Sequence, residues 1–298
     1  MDILIIINSR HKLDRTVALF LEKIDQEESF RVITQYTEFK RHSEEIIAKF
    51  SQKIEVILVV GGDGTFHEVA NAYFKNNCQA SVGFIPNGTG NDLIRMFKPI
   101  DQDSFIERIK EHVTNKMDVG FLQGETEERY FLNIAGIGLD GKVIAIMEES
   151  DTDKETRLSY AKAILKAFFT FKKPVLSIKG DDFSYSGSMM MVAMCNGRVF
   201  GNGLTISPSA SITDGVIHIT LLGKVSLADY ILNLGKLKKG KLIQHKEVHY
   251  HETKSLEVKC ISGEAYGEAD GEHLAMKSLR MKVIPASLPV INEIEDRE

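Results

Sequence analysis

The chain has 298 residues, 43% of them apolar and 27% charged, which excludes a disordered, fibrous or collagen-like polymer and describes one large or two medium globular domains. A net charge of −5 supplies no overall basic field, so nucleic acid is not an expected partner and any attraction to an anionic surface has to be local. Cys78, Cys195 and Cys260 form no Cys-x-x-Cys pair and suit a reduced cytoplasmic compartment, and no apolar run approaches the roughly 18 residues of a membrane span.

Ile3–Ile7 predicts a short apolar strand, and Thr16–Gln26 has helical apolar spacing. Val32–Gln35 predicts a second strand. Ser43–Phe50 predicts a helix with Ser43 as cap and Glu44 and Glu45 in its first turn. Ile54–Val60 is a third strand leading to a helix over Thr65–Phe74, and Val82–Ile85 a fourth leading to a helix that begins at Asn91–Phe97. Fully apolar strands alternating with helices predict an α/β domain, Rossmann-like, with a parallel sheet covered on both faces.

After about residue 120 the texture changes. Tyr130–Asn133, Val175–Lys179, Ser186–Cys195, Val216–Leu222, Leu256–Cys260 and Leu279–Ile284 predict strands. Helices are predicted over Thr156–Phe171 and Ser226–Leu237. The expectation is a nucleotide-binding domain over 1–122, to which 286–298 returns, and a β-rich, sandwich-like domain over 123–285.

Two loops of the first domain carry unusual composition: Gly61-Gly62-Asp63-Gly64-Thr65, and Pro86-Asn87-Gly88-Thr89-Gly90-Asn91-Asp92. Ligands in doubly wound sheets sit beyond the carboxyl ends of the strands. Glycine lets backbone N–H groups converge on phosphate, and a helix amino terminus adds positive potential. Aspartates beside phosphate imply a bridging Mg²⁺. Neither loop is a Walker A motif or a GxGxxG turn. Each could be a tight turn with Asp or Asn as helix cap, but two in adjacent strand–helix units point to a nucleotide site. As an acid in a surface turn, Asp63 is expected to matter for turnover and little for stability.

GGDGT followed by His67-Glu68, then PNGTGND, resembles the catalytic domain of the bacterial diacylglycerol kinase and lipid kinase family, which is related to sphingosine and ceramide kinases and more remotely to NAD kinases. Met117-Asp118-Val119-Gly120, the segment Asn133–Asp140, Asn196-Gly197, Thr213-Asp214-Gly215 and Asp270-Gly271-Glu272 follow in family order. The resemblance implies ATP and Mg²⁺ as cofactors and phosphoryl transfer to a lipid hydroxyl, with diacylglycerol as the default acceptor. It implies a Mg²⁺-holding role for Asp63 and nucleotide contacts from Gly61, Gly62, Asp63, Gly64, Thr65, Phe66, His67 and Glu68. Gly88, Thr89, Asn91 and Asp92 in the second loop, with Asn8, Ser9 and Arg10 after the first strand and Thr37 after the second, join that set. Asp92 and Asp118 resemble acids that support the site. Asp214, with backbone carbonyls near Ser211 and Val216, resembles the ligand set of a second, structural Mg²⁺.

Glu272 resembles the family's general base, and the role is chemically sound, since an attacking hydroxyl has to lose its proton. Bacterial members usually have Asn-Glu where this chain has His67-Glu68, so altered nucleotide contacts or supporting hydrogen bonds are expected there. The resemblance implies a site in a cleft between the domains.

Three features have competing readings. His249 and His251 share a strand face but lack a third metal ligand. Lys236–Lys241 is either a solvated helix end or a patch for anionic lipid. Leu158–Phe171, with Phe168, Phe169 and Phe171, is either core or membrane contact. The lipid substrate places the protein peripherally at a membrane surface, and a homodimer is possible. Rival functions are phosphorylation of a sphingoid-like lipid or of a soluble alcohol in the manner of an NAD kinase, and nucleotide sensing without turnover.

Overall fold

The computed structural model describes residues 1–10, 12–149, 157–275 and 278–295. The chain forms two units, one of Met1–Met117 with the segment from Ala286 onward, the other of Asp118–Pro285.

The first unit runs β1 (Asp2–Asn8), α1 (Arg15–Asp25), β2 (Arg31–Thr37), α2 (His42–Phe50), β3 (Val56–Gly61), α3 (Asp63–Lys75), β4 (Ser81–Pro86) and α4 (Gln102–Lys110). The strands pair in parallel in the order β2-β1-β3-β4. β3 is buried along its whole length, as a central strand covered on both faces must be. Ile3, Ile5, Ile7, Val56, Leu58 and Val60 pack on one face against Phe20 and Ile24 of α1 and Phe105, Ile106 and Ile109 of α4. Each such side chain contributes roughly 1.5–3 kcal/mol. Phe84 of β4 meets the Phe66 ring of α3 at 4.9 Å. The returning segment is anchored by Asn292, whose side chain accepts from the Phe84 N–H (2.7 Å) and donates to the Phe84 carbonyl (2.9 Å).

Three local expectations change. α2 begins at His42 on a left-handed Arg41, and Ser43 donates to Glu68 in place of capping the helix. α3 begins two residues earlier than predicted, with Gly62 as its cap. The helix predicted from Asn91 is a single 3₁₀ turn, Leu93–Met96. Asn91 has φ 51°, a left-handed conformation that starts no α-helix.

The second unit begins within β5 (Asn115–Gln123) and continues through β6 (Glu128–Phe131), β7 (Ile134–Gly138), α5 (Leu139–Glu149) and α6 (Arg157–Thr170). Then come β8 (Val175–Lys179), β9 (Ser184–Ser188), β10 (Met191–Cys195), the two-residue strands β11 (Val199–Phe200) and β12 (Leu204–Thr205), β13 (Ile217–Leu222) and α7 (Leu227–Lys238). β14 (Val248–Thr253), β15 (Ser255–Ser262), β16 (Tyr266–Ala269), β17 (Glu272–Ala275) and β18 (Ser278–Val290) complete it, the last running on into the first unit from Ala286.

One layer of this unit pairs β18-β15-β8-β9, with β5 also on β18. The other pairs β14-β13-β10-β7-β16-β17. Strand pairing along both orders is antiparallel from β18 to β9 and from β14 to β17. Side chains from both, including Leu176, Ile178, Val192, Met194, Val258 and Met281, share one core, so the unit is a sandwich. α5 lies beyond the expected elements, and the Thr156 start predicted for α6 falls outside the described residues. α7 opens on a capping box between Ser226 and Asp229. Among the described residues no helix is long and apolar enough to cross a membrane.

Candidate active site

In the first unit α1 leads from β1 to β2 on one side, and α2 leads back to β3 on the other. The crevice beyond β1 and β3 is therefore a topological switch point, where open α/β sheets take ligands. Its loops are stapled together. Asn8 Nδ2 donates to Thr65 Oγ1 (2.8 Å), the Arg10 N–H to Asn8 Oδ1 (3.0 Å), and the Ser9 hydroxyl to the Thr37 carbonyl. Glu68 accepts from the Arg41 N–H (3.0 Å) and the Ser43 hydroxyl (3.1 Å).

The three glycines around Asp63 have different causes. A Cβ on Gly61 would stand 2.5 Å from Thr65 Oγ1, and one on Gly62 would stand 3.2 Å from the Cα of Gly88. Gly61 is glycine because Thr65 of its own turn folds back on it, and Gly62 because the two loops touch. A Cβ on Gly64 would meet nothing within 4 Å, and Gly64 is exposed at the start of α3. Its backbone is where a ligand can approach the helix amino terminus.

Asp63 is a structural staple as well as an acid. One carboxylate oxygen accepts from the Asp92 N–H (2.9 Å), the other from the Leu93 N–H (3.0 Å). This corrects the expectation of a turn residue with little structural cost. The side chains of Phe66 and His67 point inward, so a nucleotide contact from either would come through its backbone. Phe66 is fully buried, and His67 is buried with Nε2 3.3 Å from Asn71 Nδ2. His67 is thus a supporting hydrogen-bond residue. Thr89 is exposed, and Asp92 is buried with Oδ1 3.3 Å from the Arg95 guanidinium.

The donor set admits one hard cation. Asn91 Oδ1 is buried, lies 3.0 Å from where a Gly88 Cβ would stand, and has no hydrogen-bond partner among the described residues. Asp63 adds an ionisable carboxylate at the same loop junction. Mg²⁺ commonly takes one or two carboxylates and fills its remaining positions with water and phosphate oxygens, which these residues suit.

The second unit holds the other predicted residues. Asp270 and Gly271 link β16 to β17 with φ 48° and 85°, the positive values that a type I′ hairpin turn requires. The Asp270 carboxylate accepts the N–H groups of Leu132 (2.8 Å), Asn133 (2.9 Å) and Ile134 (3.1 Å). Glu272, half-buried, is the first residue after this turn, and its backbone is therefore set by a braced hairpin. Asp118 accepts the Gly215 N–H at 2.7 Å.

Asp214 accepts the Val216 N–H (3.2 Å) and lies 2.8 Å from His218 Nε2. One oxygen of Asp214 is thus engaged by the turn backbone and the other by the second residue of β13, while Ser211 Oγ lies 3.2 Å from Thr213 Oγ1. His251 stacks on Phe183 at 4.1 Å. Among the described residues no group of three or more His, Cys, Asp or Glu is arranged for a metal.

A cavity of about 110 Å³ lies in this unit, lined by residues of α5, α6 and α7 such as Val143, Ile164, Phe168, Tyr230 and Leu237, and by Asp140. Its lining is almost wholly apolar. Glu268 pairs across the sheet with Gly136, and a Cβ on Gly136 would overlap the Asp140 carboxylate, so both carboxyls gather at that glycine. Burial raises both, Asp140 to about 7, and the nearby Asp140 carboxyl raises Glu268 further. No pattern in the sequence announces this pair, because the strand register that joins them is not local.

The diacylglycerol kinase catalytic domain family matches residues 2–122, and the YegS C-terminal NAD kinase beta sandwich-like domain family matches 133–292. The chain is 26% identical over 264 residues to the probable lipid kinase YegS-like of Pectobacterium atrosepticum, covering 87% of this chain and 84% of that one. It is 26% identical over 246 residues to a diacylglycerol kinase of Staphylococcus saprophyticus, covering 78% of each. A solved structure of a diacylglycerol kinase from Bacillus anthracis shares the fold, with a TM-score of 0.71 at 19% identity over 98% of this chain and 97% of that one. Two family domains in order, carried on an α/β unit and a β sandwich, make this chain a member of the diacylglycerol kinase and YegS-like lipid kinase family, kinases with an alcohol group as acceptor.

Proposed function

We propose that the chain transfers the γ-phosphoryl group of ATP to the hydroxyl of diacylglycerol, giving phosphatidic acid. The observation that carries the lipid part is the apolar cavity of the second unit, whose lining suits an acyl chain. A soluble acceptor such as NAD would leave its polar groups unpaired there.

The glycine loops and the amino terminus of α3 orient the phosphates through backbone N–H groups. Mg²⁺ held at Asp63, with Asn91 Oδ1 beside it, would supply neutralisation of phosphate charge. Glu272 accepts the hydroxyl proton as the acceptor oxygen attacks. Asp63 and Asp270 hold the two reacting segments in shape, and such positioning is most of what phosphoryl transfer asks of a protein.

Asp140 supports a second reading. A carboxyl at an apolar cavity can also meet the ammonium of a sphingoid base. The test is purified protein with labelled ATP and separate acceptors: diacylglycerol, sphingosine and NAD. Labelled phosphatidic acid as the main product is the expected result. Product from NAD alone, or from none of the three, overturns the lipid reading.

A further inference from the structure

α6 and α7 each leave an apolar crest in solvent. On α6 the exposed positions Lys162, Leu165, Lys166 and Phe169 fall at i, i+3, i+4 and i+7, one helical face. The opposite positions Ala163 and Ala167 are buried. Phe169 is 77% exposed, and on α7 Leu232 is 79% exposed beside Ile231. Leu242, just past α7, is also exposed. The helices are neighbours, since the Phe168 and Tyr230 rings lie 5.6 Å apart. Phe168 and Tyr230 face the cavity, whereas the crest residues Leu165, Phe169, Ile231 and Leu232 do not line it. Among the described residues the crest therefore faces solvent and not the cavity.

Charge identifies the occupant. The segment 159–173 carries Lys162, Lys166, Lys172 and Lys173 and no acid. The segment 226–246 carries Lys236, Lys238, Lys239, Lys241 and Lys246 against one acid, Asp229. The hydroxyl and N–H of Ser226 hold that acid within the capping box. Even with Glu247 set against Lys246 at the end of the segment, nine lysines against two acids make this a local basic field in a chain of net charge −5.

We infer that the α6–α7 crest is a docking surface for an anionic lipid bilayer, with Phe169 and Leu232 entering the acyl boundary and the lysines facing the headgroups. An apolar ridge flanked by lysines is the composition of an interfacial helix, and each lysine near an anionic surface strengthens binding roughly fivefold. A protein partner or a second copy of the chain would explain the apolar residues but not the uncompensated charge. The inference rests on the reading that the acceptor is a membrane lipid, because it brings the enzyme to where that acceptor resides.

The test is sedimentation of the whole protein with vesicles of phosphatidylcholine, with and without phosphatidylglycerol, in the absence of nucleotide. The native chain is expected to bind only the anionic vesicles and to release as salt rises. Phe169→Ser/Leu232→Ser should lose about tenfold or more of that binding, and Lys238→Gln/Lys239→Gln roughly fivefold per lysine. Both variants should keep native circular dichroism, and the apolar variant should phosphorylate a soluble short-chain diacylglycerol within about twofold of native. Failure of native protein to bind anionic vesicles, or unchanged binding by Phe169→Ser/Leu232→Ser, overturns the docking surface. So does a native dimer that this variant converts to monomer. Vesicle binding without phosphorylation of any lipid sinks the kinase reading and leaves the docking surface standing. Micellar lipid phosphorylated by a native chain that ignores vesicles does the reverse.

Discussion

Gly88 stands so close to Gly62 that a Cβ added to it would lie 2.6 Å from the Gly62 Cα. The two phosphate-loop candidates are therefore packed backbone to backbone, and any side chain at either position has to part them. Gly88→Ala is expected to lower kcat/KM for ATP at least tenfold, because misplacing positioned groups by about 1 Å costs up to about 10²-fold. Gly64→Ala is the contrast, since its Cβ meets open space. Its thermal midpoint should match or slightly exceed native, while KM for ATP rises. Normal ATP kinetics in both variants would remove the loops from the nucleotide site.

Asp63 joins the same two loops through a side chain. Asp63→Asn keeps one acceptor oxygen and presents an N–H₂ to a backbone N–H. The lost contact should cost about 1–3 kcal/mol in denaturant melts. Turnover should fall further than stability explains, since the charge that would hold Mg²⁺ is gone. The check is kcat for the folded variant across a Mg²⁺ titration. A variant with native turnover and lowered stability would make Asp63 a staple and nothing more.

Much of this was legible in the chain itself. Runs such as Ile3–Ile7 and Val56–Val60 state a buried parallel sheet, because only a strand covered on both faces is apolar at every position. The turn at Asp270-Gly271 is written in its residues, though the strands that make it a hairpin are not. What stayed hidden depends on contacts distant in sequence. Asp63 looks like a surface turn residue until Asp92 and Leu93 are placed beside it. Ser43 looks like a cap until Glu68 claims its hydroxyl. Gly136 and Asp140 read only as pieces of a motif, and the pairing of Glu268 with Gly136 gives that glycine its purpose. The lysines of α6 and α7 are visible one by one, but their shared surface needs the contact of Phe168 with Tyr230.

Glu272 follows the braced turn of Asp270 and Gly271, so a side-chain change there leaves the Asp270 contacts to Leu132, Asn133 and Ile134 in place. Glu272→Gln retains size and hydrogen bonding but not the capacity to take a proton. Its kcat for lipid phosphorylation should fall about 10²–10⁴-fold, with the thermal midpoint and direct ATP binding near native. Weakened ATP binding at near-normal kcat would move Glu272 to the nucleotide or metal shell.

Asp140 and Glu268 give stability a pH dependence of definite sign. Burial raises both carboxyls, Asp140 to about 7, and the Asp140 carboxyl raises Glu268 further. In the unfolded chain both titrate near about 4. Below that range both states are protonated, and the pair contributes no slope. Between about 4 and the raised folded values the native state holds protons that the unfolded state has released, so stability falls as pH rises. Asp140→Asn keeps an oxygen for the Gly141 N–H, which Asp140 Oδ1 accepts at 2.8 Å, and removes one of the two buried charges. Native protein should lose thermal midpoint steadily from about pH 5 to pH 8, and the variant should lose much less over the same interval. The curves should draw together or cross, with the variant gaining on native at the alkaline end. Parallel midpoint curves would mean that the two carboxyls do not titrate in this window, and that the unpartnered Oδ2 of Asp140 finds its compensation elsewhere.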